Sequence, residues 1–250
     1  MPEHPVASAA DWLEARKALL QKEKEFSRVR DELSAARREL PWRELTKEYV
    51  FEGTDGQVSL SQLFDDCSQL IVYHFMFDPE WEEGCKSCSL LADHYDPSVI
   101  HLRARDVTMV TVARAPLAKL EAFRARMGWK SKWVSSLASD FNRDFHVSFT
   151  PDELEQKAAY YNYRDGAGFP VTEAPGISVF AKDESGKVFH TYSSYARGLD
   201  LLIGAYNLLD LVPKGRDEEK LSYGMEWVRH RDRYGDGTFV DPYVRKEEPS

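Results

Sequence analysis

The eight residues 70–77, with the sequence LIVYHFMF, constrain the fold more than any other segment. A strand that faces solvent on one side alternates apolar and polar residues, whereas this run is apolar on both alternating faces. It therefore predicts the central strand of a sheet, covered on both sides. His74 lies inside the run, and a buried, hydrogen-bonded core histidine is the expected role rather than a catalytic base.

The segments that follow extend this strand into a βαβ unit. After a polar loop at 78–84, a helix is expected to begin near Cys85. The run 107–113, VTMVTVA, predicts the next strand, and 116–127 predicts a helix with proline in its first turn. Strand, helix, strand and helix in this order imply a parallel βαβ core.

A hairpin and a closing helix complete the expected element order. Residues 176–181 and 188–192 alternate in polarity around a glycine-containing turn, and 196–211 has the apolar spacing of a core-facing helix. The less regular residues 129–175 are interpreted as an insertion. The sequence thus predicts an α/β, thioredoxin-like fold with a long N-terminal helix and an insertion before the C-terminal β-hairpin.

The N-terminal helix is predicted by apolar residues at alternating spacings of three and four. The pattern consists of Trp12, Ala15, Leu19, Phe26, Val29, Leu33, Ala36 and Leu40, and Lys22 is the one charged residue on it. It indicates one amphipathic helix with a near-heptad seam. Two interpretations stay open, because fewer than five heptads do not settle the matter: the stripe packs on its own domain, or it forms a homodimer.

These elements suggest three regions. We expect an N-terminal helical extension at 1–45, a thioredoxin-like domain at 46–212 and a charged, aromatic tail at 213–250. The sequence pattern predicts no fold for the tail.

Charge and the N-terminal sequence limit the possible partners and compartment. A formal net charge of −9 argues against nucleic acid and acidic membrane surfaces as partners. The first residues lack the basic and apolar regions of a secretory signal, and no uncharged apolar run approaches membrane-spanning length. We therefore expect a cytoplasmic protein that binds neither nucleic acid nor membranes.

The three cysteines indicate a reactive dithiol rather than a structural disulfide framework. Cys85 and Cys88 form a Cys-x-x-Cys pair at the predicted start of a helix, where free backbone N–H groups and the helix dipole favour a thiolate. Cys85 is the expected nucleophile, and Cys88 is expected to resolve the mixed disulfide. Cys67 has no partner in sequence and is expected to be a small buried apolar residue. A zinc site is disfavoured because no second ligand pair is present, and no metal or cofactor is predicted.

The loop before the pair is acidic. It carries Asp78, Glu80, Glu82 and Glu83, whose field opposes a thiolate at Cys85, whereas Lys86 and the helix end favour one. If the carboxylates dominate, the dithiol is expected to act as a reductant.

Three residues are candidates for substrate binding. Pro175 lies before the predicted hairpin, where a thioredoxin fold places a cis-proline beside the dithiol, and we expect it to be cis. Trp81 is expected to wall the site, although packing alone explains it nearly as well. Arg114 follows the second strand and is a candidate partner for a substrate carboxylate, although an ion pair at the surface is the commoner role.

Five segments resemble a known family. They are YHFMFDPEWEEGCKSCSLLADHYD, ARDVTMVTVARAPLAKLEAFRARMGW, SDFNRDF, APGISVF and HTYSSYARGLDLLIGAYNLLDLVPKGRDE. From about Leu40 onward the chain resembles the DUF899 family, bacterial thioredoxin-like proteins of unknown function. The resemblance implies that Cys85 and Cys88 match the two cysteines of the family, and it implies no substrate. Asp78 and Lys86 depart from the glycine and proline common in the family, which affects redox tuning rather than fold.

Three functions are compatible with the sequence. The first is a thiol–disulfide oxidoreductase that acts on a disulfide in a protein or in a small molecule. The second is a peroxiredoxin-like peroxidase, although Pro79 lies six residues before Cys85 and the loop has no threonine, so the peroxidatic Pro-x-x-x-Thr-x-x-Cys signature is absent. The third is a binding module whose dithiol is idle or senses the redox state.

Overall fold

A computed structural model describes residues 4–235, and these divide into two compact units. The first unit ends at Trp42 and the second begins at Arg43. The first consists mainly of the helix α1, Ala9–Arg38, which begins where the Ser8 hydroxyl accepts a hydrogen bond from the backbone N–H of Asp11. No residue of α1 is buried.

The second unit is built on one eight-stranded sheet. In chain order the strands are β1 Arg43–Glu44, β2 Val50–Gly53, β3 Gly56–Ser59, β4 Gln69–His74, β5 Val107–Ala113, β6 Lys132–Ser135, β7 Gly176–Lys182 and β8 Val188–Tyr195. Their order across the sheet is β1-β8-β7-β4-β5-β6-β2-β3. The strand β4 pairs in parallel with β5 and antiparallel with β7, so it is internal to the sheet as predicted.

Helices cover the sheet and connect its strands. They are α2 Lys86–Tyr95, α3 Val99–Arg103, α4 Leu117–Met127, α5 Phe141–Asp144, α6 Pro151–Glu155 and α7 Gly204–Leu209. The helix α4 ends at Gly128, whose φ of 69° is the left-handed conformation that glycine adopts most easily. No helix among residues 4–235 is both long and apolar enough to pass through a bilayer.

The connections of the second unit define its fold. The central elements follow one another in the order β4-α2-β5-α4-β7-β8-α7, with α3 before β5 and with β6, α5 and α6 before β7. Their strands are adjacent in the order β5-β4-β7-β8. A parallel βαβ unit followed by an antiparallel hairpin and a closing helix is the thioredoxin-like fold. The predicted fold class is therefore confirmed.

Two segments differ from what the sequence pattern indicates. Residues 129–175 are interpreted as an insertion with no strand assigned to them, yet Lys132–Ser135 form β6, parallel to β5. Trp133 and Val134 are adjacent and both buried, so this short strand lacks the alternation that marks a strand with one solvent face. The insertion between β6 and β7 is thus shorter than expected.

The predicted helix at 196–211 is also not continuous. The segment Ala196–Leu202 is a 3₁₀ helix and α7 starts only at Gly204, because Ile203 between them is extended, with φ −97° and ψ 95°. Ile203 is buried in the core, and the backbone N–H of Ala205 donates to His94 Nε2 at 3.1 Å. These tertiary contacts outweigh the helical pattern of the segment.

Candidate functional site

Cys85 lies where the loop after β4 meets α2. It is the N-cap residue of this helix and is half-buried, while Cys88, one turn later, is 3% exposed. The backbone N–H of Cys85 donates to the carbonyl oxygen of Met76 at 3.0 Å, which fixes the loop against the end of the strand. The carbonyl of Cys85 accepts from the Ser89 backbone N–H at 2.9 Å and so begins the helix. The first cysteine is therefore the accessible one, as predicted.

Hydrogen bonds at the helix start favour a thiolate at Cys85. The Cys88 thiol donates to the Cys85 sulfur, which, with backbone N–H groups of Ser87 and Cys88 and the charge of Lys86, lowers the pKa of Cys85 to about 7 against the opposing effect of burial. The same hydrogen bond has the opposite effect on the pKa of Cys88. Burial is the largest cause and the bond to Cys85 the second, and together they raise the pKa of Cys88 well above its usual value. At neutral pH a sizeable fraction of the Cys85 thiols is therefore ionised, while Cys88 keeps its proton.

Tyr73 on β4 forms a hydrogen bond with the backbone of Cys88. Its side chain is 1% exposed, and its hydroxyl donates to the Cys88 carbonyl oxygen at 3.3 Å. The Tyr73 hydroxyl and the backbone N–H of Met76 also lower the pKa of Cys88, although less than burial raises it. The apolar pattern of 70–77 does not predict this hydrogen bond, because the sequence does not show which group a buried tyrosine will contact.

The acidic loop does not prevent a thiolate at Cys85. Partial burial opposes the ionisation of Glu83, but Arg126 and Arg233 reverse that effect and lower its pKa, and Arg126 Nη1 lies 2.6 Å from Glu83 Oε1. Asp78 accepts a hydrogen bond from Thr172 Oγ1 at 2.7 Å. Because Arg126 and Arg233 offset the charge of Glu83, this carboxylate does not dominate the field at Cys85. The direction of its redox activity, as a reductant, stays a prediction.

Among the candidate substrate residues, Pro175 differs from expectation. Residues 4–235 contain no cis peptide bond, so the prediction of a cis-proline is wrong. Pro175 directly precedes Gly176, the first residue of β7, where a trans proline fits because no N–H is needed from it. Its carbonyl oxygen accepts a hydrogen bond from the Tyr161 hydroxyl at 2.8 Å.

Trp81 and Arg114 both contact other residues of the protein. Trp81 is half-buried and packs on the same hydrophobic cluster as Cys85. Arg114 Nη1 lies 2.9 Å from Glu173 Oε1, and Glu173 is 1% exposed, so burial raises the pKa of this carboxyl to about 7. Contact of either residue with a substrate stays a prediction.

The tail supplies contacts at the site that the sequence did not predict. Lys86, between the two cysteines, donates from Nζ to the carbonyl oxygen of Glu226 at 2.7 Å. His230 is buried, and its Nε2 lies 2.9 Å from the carbonyl oxygen of Gly84, the residue before Cys85. These residues are about 140 positions apart in the sequence, and no periodic pattern marks them. The tail beyond residue 235 lies outside the described residues.

Comparisons with known proteins place the chain in a family. A family model described as "Bacterial protein of unknown function (DUF899)" matches residues 1–234. The chain belongs to the DUF899 family. The match begins at the first residue, so the family pattern includes the N-terminal helix, which the resemblance from Leu40 onward did not. A search of curated proteins found no match.

Solved structures similar to this DUF899 protein include two peroxiredoxins. Peroxidoxin BcpB from Mycobacterium tuberculosis is 12% identical, with coverage of 66% of this chain and 95% of that chain and a TM-score of 0.44. A structure of Peroxiredoxin Q from Xanthomonas campestris is 13% identical, with coverage of 68% and 96% and a TM-score of 0.43. A structure from Chlorobium tepidum that carries the name of the thiol:disulfide interchange protein DsbE is 14% identical, with coverage of 66% and 97% and a TM-score of 0.40. Identities this low do not transfer a substrate.

Proposed function

We propose that this DUF899 protein is a thiol–disulfide oxidoreductase, with Cys85 as the nucleophile and Cys88 as the resolving thiol. The observation that supports it most is the N-cap position of Cys85, where a hydrogen bond from Cys88 lowers the pKa of its thiol to about 7. A thiol with a pKa near ambient pH combines a sizeable thiolate fraction with good intrinsic nucleophilicity. A structural cysteine in a binding module would need neither exposure nor a lowered pKa.

The reaction follows from the two cysteines alone. The Cys85 thiolate attacks one sulfur of a substrate disulfide, so that a mixed disulfide forms and the other substrate sulfur leaves as a thiolate, which takes up a proton from solvent. Cys88 then loses its proton to solvent and attacks Cys85 Sγ. The Cys85–Cys88 disulfide forms and the second substrate thiolate is released. The substrate gains two electrons and the protein loses two, which an external dithiol reductant must restore.

The surroundings of the dithiol suit this second step. Cys88 is buried and has a raised pKa, so it stays protonated until the mixed disulfide removes the neighbouring thiolate charge. The Tyr73 hydroxyl and the Met76 N–H then stabilise the Cys88 thiolate as it forms. We further propose that the substrate is a disulfide in a protein or a small molecule, bound near Trp81, and that the protein works in a reducing, cytoplasmic compartment.

Insulin reduction with dithiothreitol tests the proposal. We expect activity in the wild type and in Cys67→Ala, a control that removes a buried thiol away from the pair, and at least about a hundredfold less in Cys85→Ser. Activity that survives Cys85→Ser would contradict the proposal. Peroxide consumption that survives Cys88→Ser in the presence of an added thiol would favour a peroxidase instead.

Trapping of the intermediate provides a second test. Since Cys88→Ser lacks the resolving thiol, it should accumulate a mixed disulfide on Cys85 when it is mixed with oxidised glutathione, visible as an added glutathione mass on the peptide that contains Cys85. Cys85→Ser should show no such adduct on Cys88, because that thiol is buried. An adduct on Cys88 but not on Cys85 would reverse the assigned roles.

A further inference from the structure

The helix α1 carries an apolar stripe with a strict period of seven. Trp12, Leu19, Phe26 and Leu33 recur at this spacing, and their exposed fractions are 60%, 51%, 62% and 47%. Ala15, Lys22, Val29 and Ala36 recur at the same spacing three residues after them. In heptad notation the first set occupies position a and the second set occupies position d.

This period favours a two-helix seam over an ordinary amphipathic face. A straight α-helix has 3.6 residues per turn, so a stripe with an average spacing of 3.5 drifts around it, whereas two helices that wind around each other keep the stripe in line. The 30 residues of α1 include four such heptads. Large apolar side chains that are about half exposed along this whole length are unusual for a helix that works alone in water.

The charges beside the stripe select the partner and its direction. Position g holds Asp11, Ala18, Glu25 and Glu32, and position e holds Arg16, Glu23, Arg30 and Arg37. In a parallel pair of identical helices, position g faces position e of the following heptad on the other helix. The facing pairs are then Asp11 with Arg16, Glu25 with Arg30 and Glu32 with Arg37, all of opposite charge, and Ala18 with Glu23, which is neutral.

An antiparallel pair would not have this complementarity. There position g faces position g and position e faces position e, so the acidic residues at g would meet only one another or Ala18, and the arginines at e would meet one another or Glu23. In the single chain Arg16 pairs with Glu23 at 2.8 Å, and Glu25 pairs with Arg28. These pairs within the helix are exposed to solvent and therefore weak, so re-pairing between helices costs little.

We propose that α1 binds a second copy of this chain as a parallel, in-register, two-stranded coiled coil. The opposite charges at g and e fix this register, in which the two copies of Lys22 lie at the same level of the seam. Their charged groups can reach solvent, but a charged residue at a central position d weakens the dimer. The proposal concerns α1 alone and does not depend on the redox activity proposed for the second unit.

Sedimentation equilibrium of the full chain tests the association. The wild type should dimerise at micromolar concentrations, Phe26→Glu should be monomeric, and Ser27→Glu, one residue away and off the stripe, should match the wild type. Lys22→Leu should lower the dissociation constant by about tenfold or more, equivalent to 1.4 kcal/mol. A wild-type monomer at 100 μM or a dimer that persists in Phe26→Glu would overturn the proposal; the second result would place the interface elsewhere.

Cysteine cross-linking tests the direction. In a Cys85→Ser/Cys88→Ser background, Ala36→Cys places a thiol at position d, and Ala35→Cys places one at the neighbouring position outside the seam. Oxidation with diamide should produce a covalent dimer from Ala36→Cys but not from Ala35→Cys, because only the first brings like positions together in register. Equal cross-linking of both, or of neither, would overturn the parallel arrangement.

Discussion

At the scale of single residues, Cys88 is the largest influence that lowers the pKa of Cys85. In Cys88→Ala this hydrogen bond is absent, and we expect the Cys85 pKa to rise by about one unit, whereas Cys88→Ser keeps a hydroxyl donor and should show a smaller rise. The rate of iodoacetamide alkylation of Cys85 against pH gives the midpoint. An unchanged midpoint in Cys88→Ala would mean that the backbone N–H groups and Lys86 are enough to keep the Cys85 pKa low.

His74 makes the stability of the fold depend on pH. It is 1% exposed, its Nε2 lies 2.8 Å from Ser178 Oγ, and burial together with His190 lowers its pKa from 6.5 to about 3. As the pH falls below 6.5, the unfolded chain binds a proton at this histidine that the folded protein does not. The contribution of His74 to the free energy of unfolding is therefore complete above pH 6.5 and falls by about 1.4 kcal/mol per pH unit toward pH 3.

This pH dependence can be measured with a matched pair of variants. Urea unfolding between pH 4 and 7 should show a shallower loss of stability in His74→Asn than in the wild type. His101→Asn, at an exposed position, should keep the wild-type slope. Parallel pH curves for the wild type and His74→Asn would contradict burial of a neutral histidine at this position.

At the scale of elements, sequence prediction succeeds where local pattern and burial agree. The strand β5 matches the predicted range to the residue, because its β-branched run is buried from Thr108 to Ala113. The helix α4 has its stop signal, Gly128, next to it in sequence. The pattern misses the strand β6 and the break at Ile203, since contacts from distant residues decide both. The position of Cys85 at the start of α2 is predictable because strand, loop and helix are consecutive.

Gly84 sets how closely the loop before α2 approaches the core. A Cβ at this position would lie 2.5 Å from Phe75 Cε1 and 2.8 Å from Phe123 Cε1, and both rings are buried. We therefore expect Gly84→Ala to lower the free energy of unfolding by about 1–3 kcal/mol through overpacking. Gly168→Ala, where no atom lies within 4 Å of the added Cβ, should change it by less than about 0.5 kcal/mol in denaturant unfolding. Equal stabilities of Gly84→Ala and the wild type would show that the loop shifts away from Phe75 and Phe123 without an energetic cost.

At the scale of the whole molecule, the described part of the tail, residues 213–235, contributes to the core of the second unit. Val228 is fully buried, and Trp227 packs on the cluster that contains Cys88 and donates from Nε1 to Glu218 Oε1 at 2.6 Å. Farther along, Asp232 pairs with Arg126 on α4 at 2.7 Å. The sequence could not predict this packing, because the tail has no helical or strand period and its partners on α2 and α4 lie more than a hundred residues away.

His230 connects this tail to the residue before Cys85, and its removal tests whether the tail supports the site. In His230→Ala the buried carbonyl oxygen of Gly84 loses its donor, which costs about 1–3 kcal/mol. Because the bond joins two segments, hydrogen–deuterium exchange should become faster together in peptides that cover 83–89 and 226–233. Peptides that cover β2 and β3, at the opposite edge of the sheet from β1, should keep their protection. Faster exchange confined to the tail would show that the loop before Cys85 keeps its conformation without the His230 hydrogen bond. The hydrogen bond from the Cys85 N–H to the Met76 carbonyl oxygen would then be the main support of the site.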